Sequence, residues 1–290
     1  MQWSAEAAVM NTFTLTVSCP QRPGIVHAIT RFLFQHDGDI VEHQQFDDAV
    51  RGKLYLRTAF RVDGQCTEER LVAEFADIAA EFEMTFAIRG DRTPRVLVMV
   101  SRQGHCLNDL VFRWRSGTLG GDLVAVVSNH DDLHPMAEAA QLPFHLIPVT
   151  RDTKPQAEAQ LLSLVADLRI DLVVLARYMQ VLSDQACTAL YGRAINIHHS
   201  FLPGFKGARP YHQAFERGVK LVGATAHYVT PELDEGPIIE QEVIRIDHTY
   251  DERALSTVGR DAEALALARA VRWHCQGRVL LNGHSTVVFR

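Results

Sequence analysis

The spacing of apolar and polar positions changes several times in the first 90 residues, and each change predicts a new element. Strict alternation is typical of a half-buried strand, and apolar residues three and four positions apart are typical of a helix. The resulting β-α-β-β-α-β order predicts a ferredoxin-like domain over residues 1–90. The predicted elements are a strand at 12–18, a helix at 25–35, strands at 40–47 and 54–62, a helix capped by Thr67, and a strand at 84–88.

A polar segment at 89–94, which contains both Gly and Pro, predicts a linker to a second domain at 95–290. Beyond it, apolar runs without alternation are each followed by a helical pattern, which favours a Rossmann-like, mostly parallel α/β sheet covered on both faces. Active sites of such sheets lie at the carboxyl ends of the strands. The runs are 96–100, 123–127, 145–149, 172–176 and 195–199; a strand at 223–229, a helix at 251–275 and a terminal hairpin around Asn282-Gly283 follow.

The first strand-to-helix turn reads Cys19-Pro20-Gln21-Arg22-Pro23-Gly24-Ile25-Val26. A glycine there lets backbone amides and a helix N-terminus approach a small carboxylate. This segment resembles the ligand loop of ACT domains, the amino-acid-sensing modules of the ferredoxin-like fold. The resemblance implies an ACT-like regulatory or assembly domain with a candidate effector loop at Arg22, Pro23, Gly24 and Ile25. The alternative is that the Pro-Gly turn is only a turn and the domain serves assembly alone.

The composition and charge of the chain indicate which kinds of partner to expect. The 290 residues are 47 % hydrophobic and 22 % charged, with a net charge of -6. Because nucleic-acid binders show a basic domain or stripe, no nucleic-acid partner is expected. No apolar run reaches the length of a membrane helix and no leader pattern is present, so no membrane partner and a cytoplasmic location are expected. Five dispersed cysteines indicate reduced thiols.

Candidate catalytic side chains lie within and beyond the fifth apolar run. Because strand side chains alternate, Asn196 and His198 face one side while Ile195 and Ile197 face the buried layer. The loop at 230–237 adds Asp234 beside a glycine. An amide donor, an imidazole and a carboxylate suit acyl transfer, in which an oxyanion must be stabilised and a proton moved.

The segments Asn196-Ile197-His198, Leu202-Pro203 and Asp234 with Gly236 closely resemble the folate-dependent formyltransferase superfamily. The resemblance spans residues 95–290 and includes Leu175–Leu182, the segment that lines the pterin pocket in that superfamily. It implies that Asn196, His198 and Asp234 are catalytic. It also implies substrate-binding residues at Met179, Gln180, Val181, Leu182, Val229, Thr230, Glu232 and Leu233. Gln180 replaces an arginine that is frequent in relatives.

The acceptor of the formyl group distinguishes branches of this superfamily. A phosphate-bearing acceptor needs a glycine-rich cradle after the first strand, and residues 101–108 hold one glycine. A tRNA acceptor needs a basic surface. Water is the one of these three acceptors that needs no binding site of its own.

The ACT-like domain, His198–Pro203 and the segment Gly207–Ala214 together resemble formyltetrahydrofolate deformylases. This implies hydrolysis of 10-formyltetrahydrofolate to tetrahydrofolate and formate, which feeds purine biosynthesis and balances the folate pool. It also implies a folate substrate, glycine or methionine as effectors, and a homo-oligomer.

In the expected mechanism Asp234 polarises water, while Asn196 and an imidazolium at His198 bind the oxyanion. No cofactor or metal is expected, because the chain has no His-Glu-x-x-His motif and no cluster of thiolates. His227 is a candidate supporting residue and His199 a packing residue, and His105, His130 and Arg209 have no assigned role. Two alternatives remain: formyl transfer to an amine, and a folate-binding sensor.

Overall fold

The computed structural model describes residues 10–204 and 210–290, with the backbone alone for residues 210 and 211. The chain forms two compact units. The first comprises Met1–Arg92, Gly277–Leu280 and Val287–Arg290, and the second comprises Thr93–Gln276 and Leu281–Thr286. The predicted second domain extended to residue 290, whereas eight residues of the terminal hairpin region group with the first unit.

The first unit contains a four-stranded antiparallel sheet with two helices. The strand order is β2-β3-β1-β4, so the predicted ferredoxin-like βαββαβ arrangement is correct. Its elements are β1 (Met10–Pro20), α1 (Ile25–Gln35), β2 (Asp39–Asp48), β3 (Lys53–Asp63), α2 (Glu68–Glu81) and β4 (Thr85–Arg89).

Local sequence explains these elements. The hydroxyl of Thr67 accepts a hydrogen bond from the backbone N–H of Arg70 and caps α2. The apolar faces of both helices pack on the sheet around Phe60 and Phe75. The alternation in β3 predicted one buried face, but the opposite face is buried too, including Arg57. Glu42 contacts both Arg57 and Arg278, which lies more than 200 positions further along the chain, and local alternation cannot encode such a contact.

The second unit is built on a seven-stranded sheet of order β11-β10-β9-β8-β5-β6-β7. Strands β5 to β9 run parallel, while β10 is antiparallel to β9 and β11 is antiparallel to β10. Its strands are β5 (Arg95–Val100), β6 (Asp122–Ser128), β7 (Phe144–Leu146), β8 (Leu172–Leu175), β9 (Ala194–His198), β10 (Leu221–Tyr228) and β11 (Ile238–Arg245).

The helices of this unit are α3 (His105–Arg115), α4 (His134–Ala139), α5 (Lys154–Asp167), α6 (Asp184–Ala189), α7 (Pro210–Glu216) and α8 (Glu252–Cys275). A final two-stranded sheet pairs β12 (Val279–Asn282) with β13 (Ser285–Val288). Two sequence expectations differ from the structure: β7 ends at Leu146 rather than at residue 149, and β11 had no predicted counterpart. None of the helices within the described residues is both long and apolar enough to cross a membrane.

Candidate active site

Three adjacent strands place one residue each in a row. The register pairs Leu175 of β8 with Asn196 of β9, and Asn196 with His227 of β10. All three residues line the same pocket. Ile195 and Ile197 are fully buried, as expected from the alternation in β9.

The loop after β10 carries Asp234 back over this row. The turn needs glycine at position 236, because an added Cβ would collide with the carbonyl oxygen of Tyr228. Asp234 itself has left-handed backbone geometry, with φ 57°. This close return of the loop explains why an acidic residue 36 positions beyond His198 reaches the same site.

The carboxylate of Asp234 bridges two imidazoles. Its Oδ2 lies 3.2 Å from Nδ1 of His198, and its Oδ1 lies 3.8 Å from Nε2 of His227. Burial by itself would raise the pKa of the Asp234 carboxyl, but hydrogen bonds and charge interactions with both histidines hold that pKa well below its usual value. Asp234 is therefore ionised throughout the neutral range.

Hydrogen bonding fixes which nitrogen of His198 is available. An ionised carboxylate only accepts hydrogen bonds, so Nδ1 of His198 carries the proton shared with Asp234. The other nitrogen, Nε2, is buried and has no hydrogen-bond partner among the described residues. Nε2 is thus the atom of His198 that can exchange a proton with a ligand.

Side chains of β10 and β11 hold the loop after β9 by hydrogen bonds. Thr225 donates its hydroxyl proton to the carbonyl of Ser200 at 2.9 Å and accepts a hydrogen bond from the N–H of Leu202 at 3.0 Å. Gln241 donates to the carbonyl of Leu202 at 2.9 Å. These bonds hold the start of the segment that follows His198. The motif residues Gly207, Ala208 and Arg209 lie outside the described residues.

The pocket brings together seven of the eight predicted substrate-binding residues, namely Gln180, Val181, Leu182, Val229, Thr230, Glu232 and Leu233. Met179 is not among the lining residues. Its backbone is left-handed (φ 60°), and its side chain is 61 % exposed, so its part in substrate binding stays a prediction. Leu175, which begins the predicted segment Leu175–Leu182, and Pro231, which lies between Thr230 and Glu232, also line the pocket; Cys187 lines it too and was not predicted.

No local sequence signal indicated Cys187. Cys187 lies on α6, which begins after Ser183 caps the helix, and nothing in the local pattern links that helix to a pocket. Only the packing of α6 against the sheet brings it there.

His130, His105 and the expected packing residue His199 lie outside the lining of the pocket. His130 lies in the loop after β6, and its side chain does not line this pocket. His105 donates or accepts through Nε2 at 2.8 Å from Oε2 of Glu263 on α8. His199 packs edge-on against His198, with ring centroids 5.2 Å apart.

One group among the described residues has donor atoms spaced for a metal ion. The ligand atoms of His105, Cys106 and Glu263 lie within 4.8 Å of one another. However, the guanidinium Nε of Arg177 already lies 3.5 Å from the Glu263 carboxylate. Burial raises the pKa of the Cys106 thiol well above its usual value. This group is therefore a poor match for a cation.

In the first unit, Arg22 of the candidate effector loop contacts the C-terminal end of α2. Arg22 donates to the carbonyl of Glu81, and its guanidinium lies 4.5 Å from the centre of the Phe82 ring. Gly24 has φ 94°, in the region that favours glycine, and precedes the buried Ile25 at the start of α1. The glycine is thus required by the turn itself.

Comparison with known proteins places this geometry in a family. The model of the formyl transferase family matches residues 94–271. The formyltetrahydrofolate deformylase of Corynebacterium sp. (strain P-1) is 55 % identical over 279 residues, which cover 95 % of this chain and 97 % of the relative.

Two solved structures are also similar. The formyltetrahydrofolate deformylase of Burkholderia mallei superposes with a TM-score of 0.92 at 51 % identity, covering 97 % of this chain and 100 % of the other. The glycinamide ribonucleotide transformylase 1 of Symbiobacterium toebii has a TM-score of 0.65 at 28 % identity, covering 70 % of this chain and 97 % of the other. The chain therefore belongs to the formyl transferase family and, over nearly its whole length, to its formyltetrahydrofolate deformylase members.

Proposed function

We propose that this protein hydrolyses 10-formyltetrahydrofolate to tetrahydrofolate and formate. The observation that carries the proposal is the convergence of Asn196, His198 and Asp234 beside one pocket. Nearly full-length similarity to proteins named formyltetrahydrofolate deformylase supports the same reaction. We assign the catalytic role to residues 95–290 and a regulatory or assembly role to residues 1–90.

In the proposed reaction, Nε2 of His198 takes a proton from water as the water oxygen attacks the formyl carbon. The formyl oxygen becomes an oxyanion, which an N–H of Asn196 stabilises. Asp234 stabilises the imidazolium that forms at His198. The proton then passes from His198 to N10 of the folate as the carbon–nitrogen bond breaks, which releases tetrahydrofolate and formic acid; the acid loses its hydroxyl proton to solvent and leaves as formate.

The position of Asp234 favours this division of roles over direct activation of water by the carboxylate. Its oxygens face two histidines, and its lowered pKa makes it a weak base. A weakly basic, ionised carboxylate beside an imidazole orients the ring and stabilises its protonated form. These three side chains supply the proton transfers and the charge stabilisation, so we propose that the reaction uses no cofactor or metal.

Water is favoured as the acceptor over an amine. The turn between β5 and α3 holds one glycine, and the side chains of His105 and Cys106 that follow it pack towards Glu263. A phosphate cradle would instead need open backbone amides. The transformylase relative aligns with only 70 % of the chain, whereas deformylase relatives extend over both units.

The test is release of formate from 10-formyltetrahydrofolate without any added amine. Steady turnover supports hydrolysis, and turnover that begins only after an amine is added assigns the protein to formyl transfer. Asn196→Ala is expected to lower kcat by about 10²–10³-fold, and His198→Ala and Asp234→Asn by about 10²–10⁴-fold. Binding of tetrahydrofolate should survive each change, and wild-type hydrolysis by Asp234→Asn would contradict the mechanism.

The pterin is proposed to bind against the two segments that enclose the pocket, through Gln180, Val181, Leu182, Val229, Thr230, Glu232 and Leu233. The formate would feed purine biosynthesis and the released folate would balance the one-carbon pool. We place this reaction in the cytoplasm, a compartment in which thiols such as those of the five described cysteines stay reduced.

For the first unit we propose binding of a small amino acid, glycine or methionine, at the turn formed by Arg22, Pro23, Gly24 and Ile25, and assembly into a homo-oligomer. The free N–H groups at the start of α1 suit a carboxylate. Isothermal titration with each amino acid tests binding, and light scattering tests assembly. No heat with either amino acid would leave this unit an assembly domain alone.

A further inference from the structure

One side of the pocket is formed by a piece of chain that belongs to neither a helix nor a strand. Residues 176–183 connect β8 to α6 without regular secondary structure. Three of them, Gln180, Val181 and Leu182, line the pocket, and we call these three the wall segment. Because no helix or strand hydrogen bonds fix the wall segment, the shape of the pocket depends on the other contacts that this stretch of chain makes.

The wall segment has space on both of its sides. Val181, Leu182 and Pro231 line the pocket and also a second cavity of about 680 Å³. Leu182 packs in the core, but Val181 is 52 % exposed. Chain with few buried contacts opens more readily than a central strand does. Hydrogen bonds to neighbouring elements therefore decide where the wall segment lies.

One such hydrogen bond comes from the side chain of Glu158 on α5. Its Oε1 accepts the backbone N–H of Ser183, the residue after the wall segment, at 2.8 Å. Carboxylates that accept from backbone N–H groups form some of the stronger hydrogen bonds in proteins. The ammonium of Lys154 lies 3.9 Å from the same oxygen and is partly exposed, so this ion pair contributes little.

Ser183 is the residue at which the wall segment meets α6. Its hydroxyl accepts the N–H of Ala186 at 3.2 Å, and its carbonyl accepts the N–H of Cys187 at 2.8 Å. Cys187 also lines the pocket. The hydrogen bond from Glu158 therefore fixes the end of the wall segment and the first turn of α6 together.

The helix that carries Glu158 is itself held by the core of the second unit. Its buried residues Ala157, Leu161 and Val165 belong to the same hydrophobic cluster as Leu175 of β8. Glu158 thus connects the wall segment to an element whose position is set by packing.

We propose that Glu158 is a positioning residue for substrate binding, whose hydrogen bond to Ser183 holds the wall segment in place against the folate. Glu158 does not line the pocket, so it acts through Ser183. The effect on folate binding rests on the proposed function, whereas the restraint on the wall segment does not.

The first experiment compares two substitutions of Glu158 in the full-length enzyme. Glu158→Leu removes the acceptor, and Glu158→Gln keeps an oxygen that can accept from Ser183. Glu158→Leu should raise KM for 10-formyltetrahydrofolate and Kd for tetrahydrofolate by about tenfold. Its kcat should change by less than about twofold, because contacts to the pterin are the same in the ground state and the transition state. Glu158→Gln should bring both constants back to within about threefold of the wild type.

The matched control is Asp167→Leu. Asp167 is an exposed acidic residue at the opposite end of α5, so KM, Kd and kcat should keep their wild-type values. A wild-type Kd in Glu158→Leu would overturn the proposal. So would a fall in kcat at unchanged KM, or an equal loss of binding in Glu158→Gln, which would assign the effect to the charge of Glu158 instead of its hydrogen bond.

The second experiment follows amide hydrogen exchange and needs no turnover. In the wild type, the N–H of Ser183 should be protected about 10²-fold or more relative to an unstructured peptide. In Glu158→Leu, the amides of the wall segment, Ser183 and Cys187 should exchange about tenfold faster, while those of β8 keep their wild-type rates.

This second measurement separates the two proposals. Failure of the wild type to bind tetrahydrofolate would contradict the proposed function, and the exchange rates would then decide the role of Glu158 alone. An unprotected N–H at Ser183 in the wild type would overturn that role even if Glu158→Leu failed to fold. Faster exchange at every amide, β8 included, would overturn it in favour of a general loss of stability.

Discussion

Nδ2 of Asn196 lies 3.2 Å from Nε2 of His227, and Nδ1 of His227 lies 2.9 Å from the carbonyl oxygen of Tyr228. A carbonyl only accepts, so Nδ1 of His227 carries a proton and the ring is held in one orientation. Its Nε2 faces both the amide of Asn196 and, at 3.8 Å, the carboxylate of Asp234. We therefore expect His227 to orient the amide of Asn196, the proposed oxyanion donor.

His227→Ala should lower kcat by about tenfold while KM changes less than twofold, because the orientation of Asn196 matters most in the transition state. Separate measurement of kcat and KM checks this. His134→Ala is the control, since His134 stacks on Phe144 at β7, the far edge of the sheet. An effect confined to KM would show that His227 shapes the pocket instead.

Gly236→Ala should abolish most activity without unfolding the protein. The added Cβ would collide with the carbonyl oxygen of Tyr228, so the loop must move and Asp234 must leave His198. We expect kcat to fall by about 10²-fold or more, with an unchanged circular dichroism spectrum. Gly117→Ala, at a left-handed glycine with open space around it, should cost only about 1 kcal/mol of stability and retain wild-type activity.

His199 predicts a pH dependence of stability. Its folded-state pKa of about 4 lies below the ordinary histidine value of 6.5, so the unfolded chain binds the extra proton first. Its contribution is present above pH 6.5 and is lost as the pH falls from 6.5 towards 4. Over that window the free energy of unfolding should fall by about 3 kcal/mol. Urea denaturation, followed by the fluorescence of Trp114 and Trp273, measures this decrease, which His199→Gln should reduce.

Two ion-paired carboxylates of the first unit, Glu42 and Asp39, should differ in how much they stabilise the fold. Glu42 contacts Arg57 at 2.7 Å and Arg278 at 2.8 Å, and Arg57 is buried; these contacts lower the pKa of Glu42. Glu42→Ala removes the shared carboxylate and should cost about 2 kcal/mol. The exposed pair of Asp39 and Arg61 should contribute less than about 1 kcal/mol when Asp39→Ala removes it. Equal losses in urea denaturation would contradict this difference.

Local patterns were sufficient for most elements. Period-two alternation and the Thr67 cap indicated β1 and α2 to within two residues, because side-chain spacing and capping depend on neighbours in the chain. They were not sufficient for β11, which pairs only with β10 at the edge of the sheet. Nor did they indicate that Met179 faces solvent, because its direction depends on a left-handed backbone angle that methionine rarely adopts.

By itself the sequence determined the order of the elements and the chemical types that a formyl-transferring site needs, because both are expressed in short segments such as Asn196-Ile197-His198. Tertiary structure decided which groups act on one another. The antiparallel register of β9 and β10 joins Asn196 to His227, and the return of α8 places Glu263 beside Arg177. Partners separated by 31 and 86 positions leave no local spacing that could reveal them, since only the packing of the sheet and helices brings them within reach.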